Sequence, residues 1–332
     1  MTTDHGGCRR VCSDIRRHRR FVLTSHVRPD GDSIGSALAL AWALRALGKD
    51  ARVINRDRVP LQLADFPGVD EIEMAETIPP DTDAVIVLEC GDLERTGLAD
   101  LDRFHVINVD HHPGNTGYGA VQWFDGAAAA CGEMVFEIIT ELGAPMTTDM
   151  ATQLFVAIVT DTGSFRYPGV SPRTFSISAR LLEAGADPVA VARRLFDSNT
   201  LGRLRLQGAV LQSMELHESE RVALLHLDKG ALAATGGTAE ETDGLINLPL
   251  SVKAIQAVVF FKQTDNGQYR ISLRSKGDID VGRVARSFGG GGHKNASGCT
   301  LTGALPELKA KIFERLLPEL TPGPAAAARN GA

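Results

Sequence analysis

No apolar run in this 332-residue chain approaches the ~20 residues that a helix needs to cross a bilayer. The N-terminus is basic, with Arg9, Arg10, Arg16, Arg17, Arg19 and Arg20, yet it has no apolar stretch of the signal-peptide kind. A cytoplasmic protein without a membrane partner is the expectation. Disulfides and zinc ribbons are excluded by the cysteines: the five (Cys8, Cys12, Cys90, Cys131, Cys299) are odd in number, scattered, and form no CxxC pair. An excess of positive charge is missing as well. The net charge is −6, whereas a surface that grips long nucleic acid neutralises many phosphates with Lys and Arg. Any polyanion handled here should be short, or held by a few local cations and metal ions. There is no internal repeat.

What is present is a soluble, globular composition, 43% hydrophobic and 23% charged, long enough for two domains. Short apolar strands alternate with helical stretches over the first ~190 residues, the signature of a parallel sheet covered on both faces. The strands are FVLTSH (21–26), ARVINR (51–56), AVIVLEC (84–90), FHVINVD (104–110) and AVQWF (120–124). SIGSALALAWALRALG lies between the first two as a helix, with Asp32 or Ser33 as N-cap and Gly48 as its stop. ACGEMVFEIITELG (130–143) and ATQLFVAIVT (151–160) follow as helices. The expected fold class is α/β. A doubly wound parallel-sheet domain (20–187) follows a basic helical segment (1–19). A helical linker (188–218) then leads to a smaller α/β domain with a mixed sheet (219–320) and a disordered tail (321–332). In that smaller domain Asn266-Gly267 marks a hairpin turn.

Four groups of metal-type ligands fall at strand or helix ends: His26, Asp30 and Asp32; Glu89 with Asp92 nearby; Asp110, His111 and His112; and Asp161. Singly, each has an ordinary reading as a loop histidine, a turn aspartate, a helix cap or strand-end punctuation. Jointly they do not, because the carboxyl ends of strands in an open parallel sheet converge on one crevice. Imidazoles with carboxylates and no thiolate suit Mn²⁺ or a similar divalent ion. So many ligands exceed the needs of one ion and fit a two-ion phosphate-ester site. In the smaller domain Arg274 and Ser275 end a strand, and four glycines precede His293 and Lys294, letting backbone N–H groups approach a phosphate. A flexible surface loop is the plain alternative.

HVRPDGDSIGS, VDHH and GGGGHKNASG, in that order, resemble the DHH phosphoesterases, in the RecJ-like and nano-RNase branch with its DHH-associated accessory domain. The resemblance covers roughly residues 20 to 318. It implies that His26 and Asp30 bind one ion, Asp32 and His111 the other, with Asp161 completing the pair and Glu89 bridging. It also implies that His112 lies beside the substrate phosphate and that Asp110 orients the histidines. Arg274, Ser275, Gly291, Gly292, His293 and Ala296 would recognise the nucleotide and its terminal phosphate. The chain departs from the family in having Glu89 where aspartate is usual, so Asp92 is a second candidate for that role. The implied activity is two-metal hydrolysis, with Mn²⁺ as the expected ion. Substrates would be short oligoribonucleotides, linear dinucleotides such as pApA, or 3′-phosphoadenosine 5′-phosphate, not long duplexes; a homodimer is common among such relatives. A manganese pyrophosphatase, a RecJ-type exonuclease and a nucleotide-binding sensor remain as alternatives.

Overall fold

The computed structural model describes residues 5–167, 169–264 and 267–320. The chain divides at Ser198/Asn199 into two compact units. The expected disordered tail (321–332) and Asn266 of the expected turn lie outside the described residues.

The first unit runs α1 (His5–Arg17), β1 (Arg20–Thr24), α2 (Gly31–Ala46), β2 (Asp50–Asn55), β3 (Glu73–Met74), β4 (Ala84–Leu88), β5 (His105–Asp110) and β6 (Val121–Phe124). It continues with α3 (Cys131–Leu142), α4 (Thr148–Asp161), α5 (Pro172–Glu183) and α6 (Pro188–Phe196). All strands are parallel, in the order β3-β2-β1-β4-β5-β6. The order reverses direction between β1 and β4, the position at which open α/β sheets place their ligands.

Alternation along the strands separates two apolar layers. Phe21 and Leu23 of β1, Ile86 and Leu88 of β4 and Ile107 and Val109 of β5 face a core built with α1 to α4. Val22, Val85, Val87 and Val106 face the other side, where the apolar cluster contains no α-helical residue and is closed by Ile78, Leu98 and Leu101 of loops and 3₁₀ turns. The expectation of a sheet sheathed on both faces therefore holds, but by helices on one face only. The basic N-terminal segment is not peripheral either. Val11, Cys12 and Ile15 of α1 are fully buried, so this helix is amphipathic and closes the core of the first unit.

The stretch expected as a linker is divided. Val191 of α6 belongs to the core of the first unit, whereas Leu206 and Val210 of α7 (Leu201–Gln212) pack under the second sheet. That second unit continues with β7 (Glu215–His217), β8 (Val222–Leu227), α8 (Lys229–Thr235), β9 (Ala257–Gln263), β10 (Gln268–Ser275), α9 (Val281–Arg286), β11 (Gly291–His293), β12 (Ala296–Thr302) and α10 (Leu305–Leu320). Its sheet is mixed: order β11-β12-β10-β9-β8-β7, with β8 and β9 parallel and the other pairs antiparallel. Among the described residues, no helix is long and apolar enough to cross a membrane.

Candidate metal centre

β1 stops at Thr24, two residues earlier than its sequence suggests, so His26 stands in the loop that leads to α2. Asp30, not Asp32 or Ser33, caps that helix. Its backbone is extended, as an N-cap requires, and its side chain accepts from Ser33 N at 3.0 Å while the Ser33 hydroxyl accepts from Asp30 N at 2.9 Å. Asp32 thereby falls inside the first turn, with no solvent exposure. Its carboxylate accepts from Cys131 N (2.6 Å) and Gly132 N (2.9 Å), the free N–H groups that open α3, and from the Ser36 hydroxyl (2.9 Å). Burial, then Asp161 and Glu89, still push its carboxyl well above the ordinary range.

Glu89 follows β4 directly and adopts a left-handed backbone (φ 55°), uncommon for a residue with a side chain. It is 1% exposed, and three imidazoles face it. His26 Nε2 lies 2.6 Å from Oε2; His112 Nε2 lies 3.1 Å and His111 Nε2 3.8 Å from Oε1. Each ring has its other nitrogen tied down. His26 Nδ1 donates to Val27 O (2.8 Å), His111 Nδ1 to Ala128 O (3.0 Å), and His112 Nδ1 to Asp110 Oδ1 (2.9 Å). These bonds fix the tautomers and turn all three Nε2 atoms toward the carboxylate.

Asp161, the last residue of α4, sits 3.4 Å from His111 Nε2, and Asp32 Oδ2 sits 3.8 Å from the same nitrogen. Asp30 Oδ2 is 3.8 Å from His26 Nε2. Despite burial, the imidazoles of His111 and His26 draw the Glu89 carboxyl down to about 2. Against burial, Glu89 raises His26 to about 9, and Glu89, Asp32 and Asp161 raise His111 to about 10. Burial and the neighbouring carboxylates lift Asp161 to about 6.

The donor set fits divalent ions. Glu89 Oε2 and His111 Nε2 are buried without a well-aligned hydrogen-bond partner, a costly arrangement unless something else meets them. His26, Asp30 and Glu89 form one compact ligand group, Asp32, His111 and Asp161 a second, and Glu89, His111 and His112 a third that overlaps both. Glu89 is thus common to two groups, although it stands where aspartate is usual. Asp92, the other candidate, is turned to local use: it caps a 3₁₀ turn by accepting from Glu94 N at 2.9 Å.

One supporting residue escaped the sequence reading. Asn115 donates to Asp110 Oδ2 (2.6 Å) and Asn108 Oδ1 (3.0 Å), so it clamps the aspartate that clamps His112. Its only sequence signal is a polar side chain five residues after Asp110, in a loop whose path the sequence does not reveal.

In the second unit the residues expected to meet substrate gather at one end of three neighbouring strands. Arg274 of β10 pairs with Ala296 of β12, which pairs with His293 of β11. The second half of the glycine run, Gly291 and Gly292, belongs to an edge strand, while Gly289 and Gly290 lie in the turn before it. A Cβ on Gly290 would lie 2.2 Å from Gly298 O, and one on Gly292, at φ 129°, would lie 2.5 Å from Ala296 O. The Ser275 hydroxyl donates to Ile279 O (2.7 Å) and accepts from Asn295 Nδ2 (2.9 Å), so it shapes this end of the sheet. Lys294 is engaged by Asp278 at 2.7 Å.

Comparison with known proteins agrees with this geometry. The DHH family, N-terminal domain, matches residues 20–158, and the DHHA1 domain matches residues 228–317. The bifunctional oligoribonuclease and PAP phosphatase NrnA of Thermus thermophilus is 33% identical over 91% of this chain and 90% of its own length. The protein of the same name from Bacillus subtilis is 30% identical over 86% of this chain and 91% of its own. A crystal structure of an exopolyphosphatase-related protein from Bacteroides fragilis superposes with a TM-score of 0.86 at 27% identity, covering 96% of this chain and 98% of that one. With the DHH-motif residues assembled at the β1/β4 reversal and a DHHA1 domain following in the sequence, the chain belongs to the DHH family of phosphoesterases, a metal-dependent family of hydrolases.

Proposed function

We propose that this protein hydrolyses short oligoribonucleotides, linear dinucleotides such as pApA, and 3′-phosphoadenosine 5′-phosphate with two divalent ions, Mn²⁺ by preference. The observation that carries this reading is the convergence of three Nε2 atoms on the buried Glu89, with Asp32 and Asp161 beside His111. His26, Asp30 and Glu89 would hold one ion, and Asp32, His111, Asp161 and Glu89 the other. Such a pair supplies Lewis-acid polarisation of the phosphate and a water acidic enough to act near neutral pH.

The chain's own residues do the rest. Asp110 raises the affinity of His112 for its proton, and Glu89 adds to this. His112 can therefore carry a proton on Nε2, neutralise charge at the phosphate, and pass that proton to the departing oxygen. Arg274, the backbone of Gly291 and Gly292, His293 and Ala296 would recognise the nucleotide, with Ser275 and Asn295 holding their strand ends. The names of the relatives from Thermus thermophilus and Bacillus subtilis support the substrate class, and the net charge of −6 supports a short substrate over a long one.

One assay tests the reading: purified protein with Mn²⁺, offered pyrophosphate, 3′-phosphoadenosine 5′-phosphate, a dinucleotide and a twenty-mer side by side. Turnover of the dinucleotide and the bisphosphate should dominate and should vanish in Asp30→Ala. Persistent turnover in that variant would refute the site, and a preference for pyrophosphate would refute the substrate class.

A further inference from the structure

A second group of metal-type ligands lies away from the DHH residues, where the N-terminal helix meets the amino end of β5. Asp14 stands in the last turn of α1, His18 just beyond its end, and His105 opens β5. One oxygen of Asp14 and one ring nitrogen of each histidine lie within 4.8 Å of one another. His105 Nε2 is 2.6 Å from Asp14 Oδ2, and the two imidazoles stack with centroids 4.6 Å apart. From these contacts we propose that Asp14, His18 and His105 form a binding site for a divalent transition-metal ion of the Zn²⁺ class, distinct from the catalytic pair.

Four features support the site. First, the Asp14 carboxylate is 8% exposed whereas His105 is 32% exposed, so the anionic ligand is desolvated while solvent can fill an open coordination position. Second, His18 Nδ1 donates to Asp14 O at 3.0 Å, a bond that leaves the lone pair on Nε2 and orients the ring in the way a backbone carbonyl orients metal-bound histidines. Third, the ligand types, two imidazoles and one carboxylate, suit zinc and its neighbours better than Mg²⁺ or Ca²⁺. Fourth, the site sits at the carboxyl end of α1, where the helix dipole favours a cation.

A cleft of about 450 Å³ opens beside Asp14, lined by Ser13, Gln122, Arg10 and Arg17 and by neither histidine. The two guanidinium groups in that lining repel a cation, so binding should be of moderate strength rather than irreversible. A bound ion would bridge α1 to β5 and so pin the N-terminal helix to the sheet. His105 and His111 of the proposed catalytic centre are six residues apart, about 20 Å along an extended strand. The two centres cannot share an ion.

The test is Zn²⁺ equilibrium dialysis of the untagged protein, with bound metal counted by mass spectrometry, on wild type, His18→Gln and Asp161→Ala. Wild type should hold one equivalent more than His18→Gln, and Asp161→Ala should keep that equivalent. Addition of Zn²⁺ should raise the melting temperature of wild type more than that of His18→Gln, while Mn²⁺-dependent turnover of the variant stays at the wild-type level. Equal stoichiometry in wild type and His18→Gln would overturn the proposal. Independently of any variant, a crystal of wild type soaked in Zn²⁺ should show an anomalous peak within bonding distance of Asp14, His18 and His105; an empty map there at saturating Zn²⁺ would overturn it equally.

Discussion

Replacing Gly35 by alanine should separate two helices that carry the proposed metal ligands. Gly35 faces α4 from the second turn of α2, and a Cβ there would lie 2.3 Å from Gln153 O and 3.2 Å from the Ala157 methyl group. The first obstacle is backbone, so relief requires the helices to part by about an ångström. Alanine improves helix propensity by about 1 kcal/mol, but overpacking a close helix contact costs about 1–3 kcal/mol and more where backbone must move. A net loss of up to about 2 kcal/mol, and more where the backbone must move, is expected. Asp32 lies three residues before Gly35, and Asp161 ends the partner helix. A shift of this size exceeds the ~0.2 Å tolerance of metal–ligand distances, so Mn²⁺-dependent turnover should fall at least tenfold.

Gly208 is the matched control, exposed in α7 with open space around it. Alanine there should stabilise by about 0.5–1 kcal/mol. Urea denaturation of both variants, with turnover measured alongside, decides the matter. Gly35→Ala as stable as Gly208→Ala, and fully active, would refute the claim that α2 and α4 are held at contact distance by a missing side chain.

Other outcomes follow from the same contacts. Arg173 meets Asp125 at 2.6 Å, Glu137 at 2.8 Å and Glu133 at 3.5 Å; Arg173→Met strands the buried carboxylates of Asp125 and Glu133 and should cost about 3–5 kcal/mol in urea denaturation. The side chain and then the backbone N–H of Arg20 hold the Asp83 carboxyl down to about 2. Its contribution is therefore complete above the ordinary aspartate range of ~3.9 and lost as pH falls through that depressed value. The stability difference between wild type and Asp83→Asn should accordingly be flat from neutral pH down to about pH 5 and close to zero only near pH 1. Gly292→Ala forces a Cβ against Ala296 O and should raise KM for a dinucleotide several-fold with a smaller effect on kcat, as read from initial rates.

Much of this was legible in the residues. The five main strands and the helices around them follow from apolar periodicity, and the ligands at their ends from the clustering of His and Asp where a buried strand stops. Less legible was what the backbone contributes. Asp30 rather than Asp32 caps α2 because the first turn must leave Asp32 free to meet the N–H groups of Cys131 and Gly132, a hundred residues away. The Ala128 carbonyl that turns His111 carries no side-chain signal at all. The short 3₁₀ turns that close the second face of the sheet are too brief to show a period. The stretch 188–218 reads as one linker, because helix periodicity cannot say which neighbour a helix packs against. The glycine run reads equally as a loop or a strand until its register with Ala296–Thr302 is known.

The candidate ligands come from four separate stretches between His26 and Asp161. No fragment of the chain can chelate well on its own, so occupancy presupposes a completed domain. By mass action, every tenfold rise in free ion above its dissociation constant then adds about 1.4 kcal/mol per ion to resistance against unfolding. Starvation for the ion would thus shorten the lifetime of the protein as well as its output.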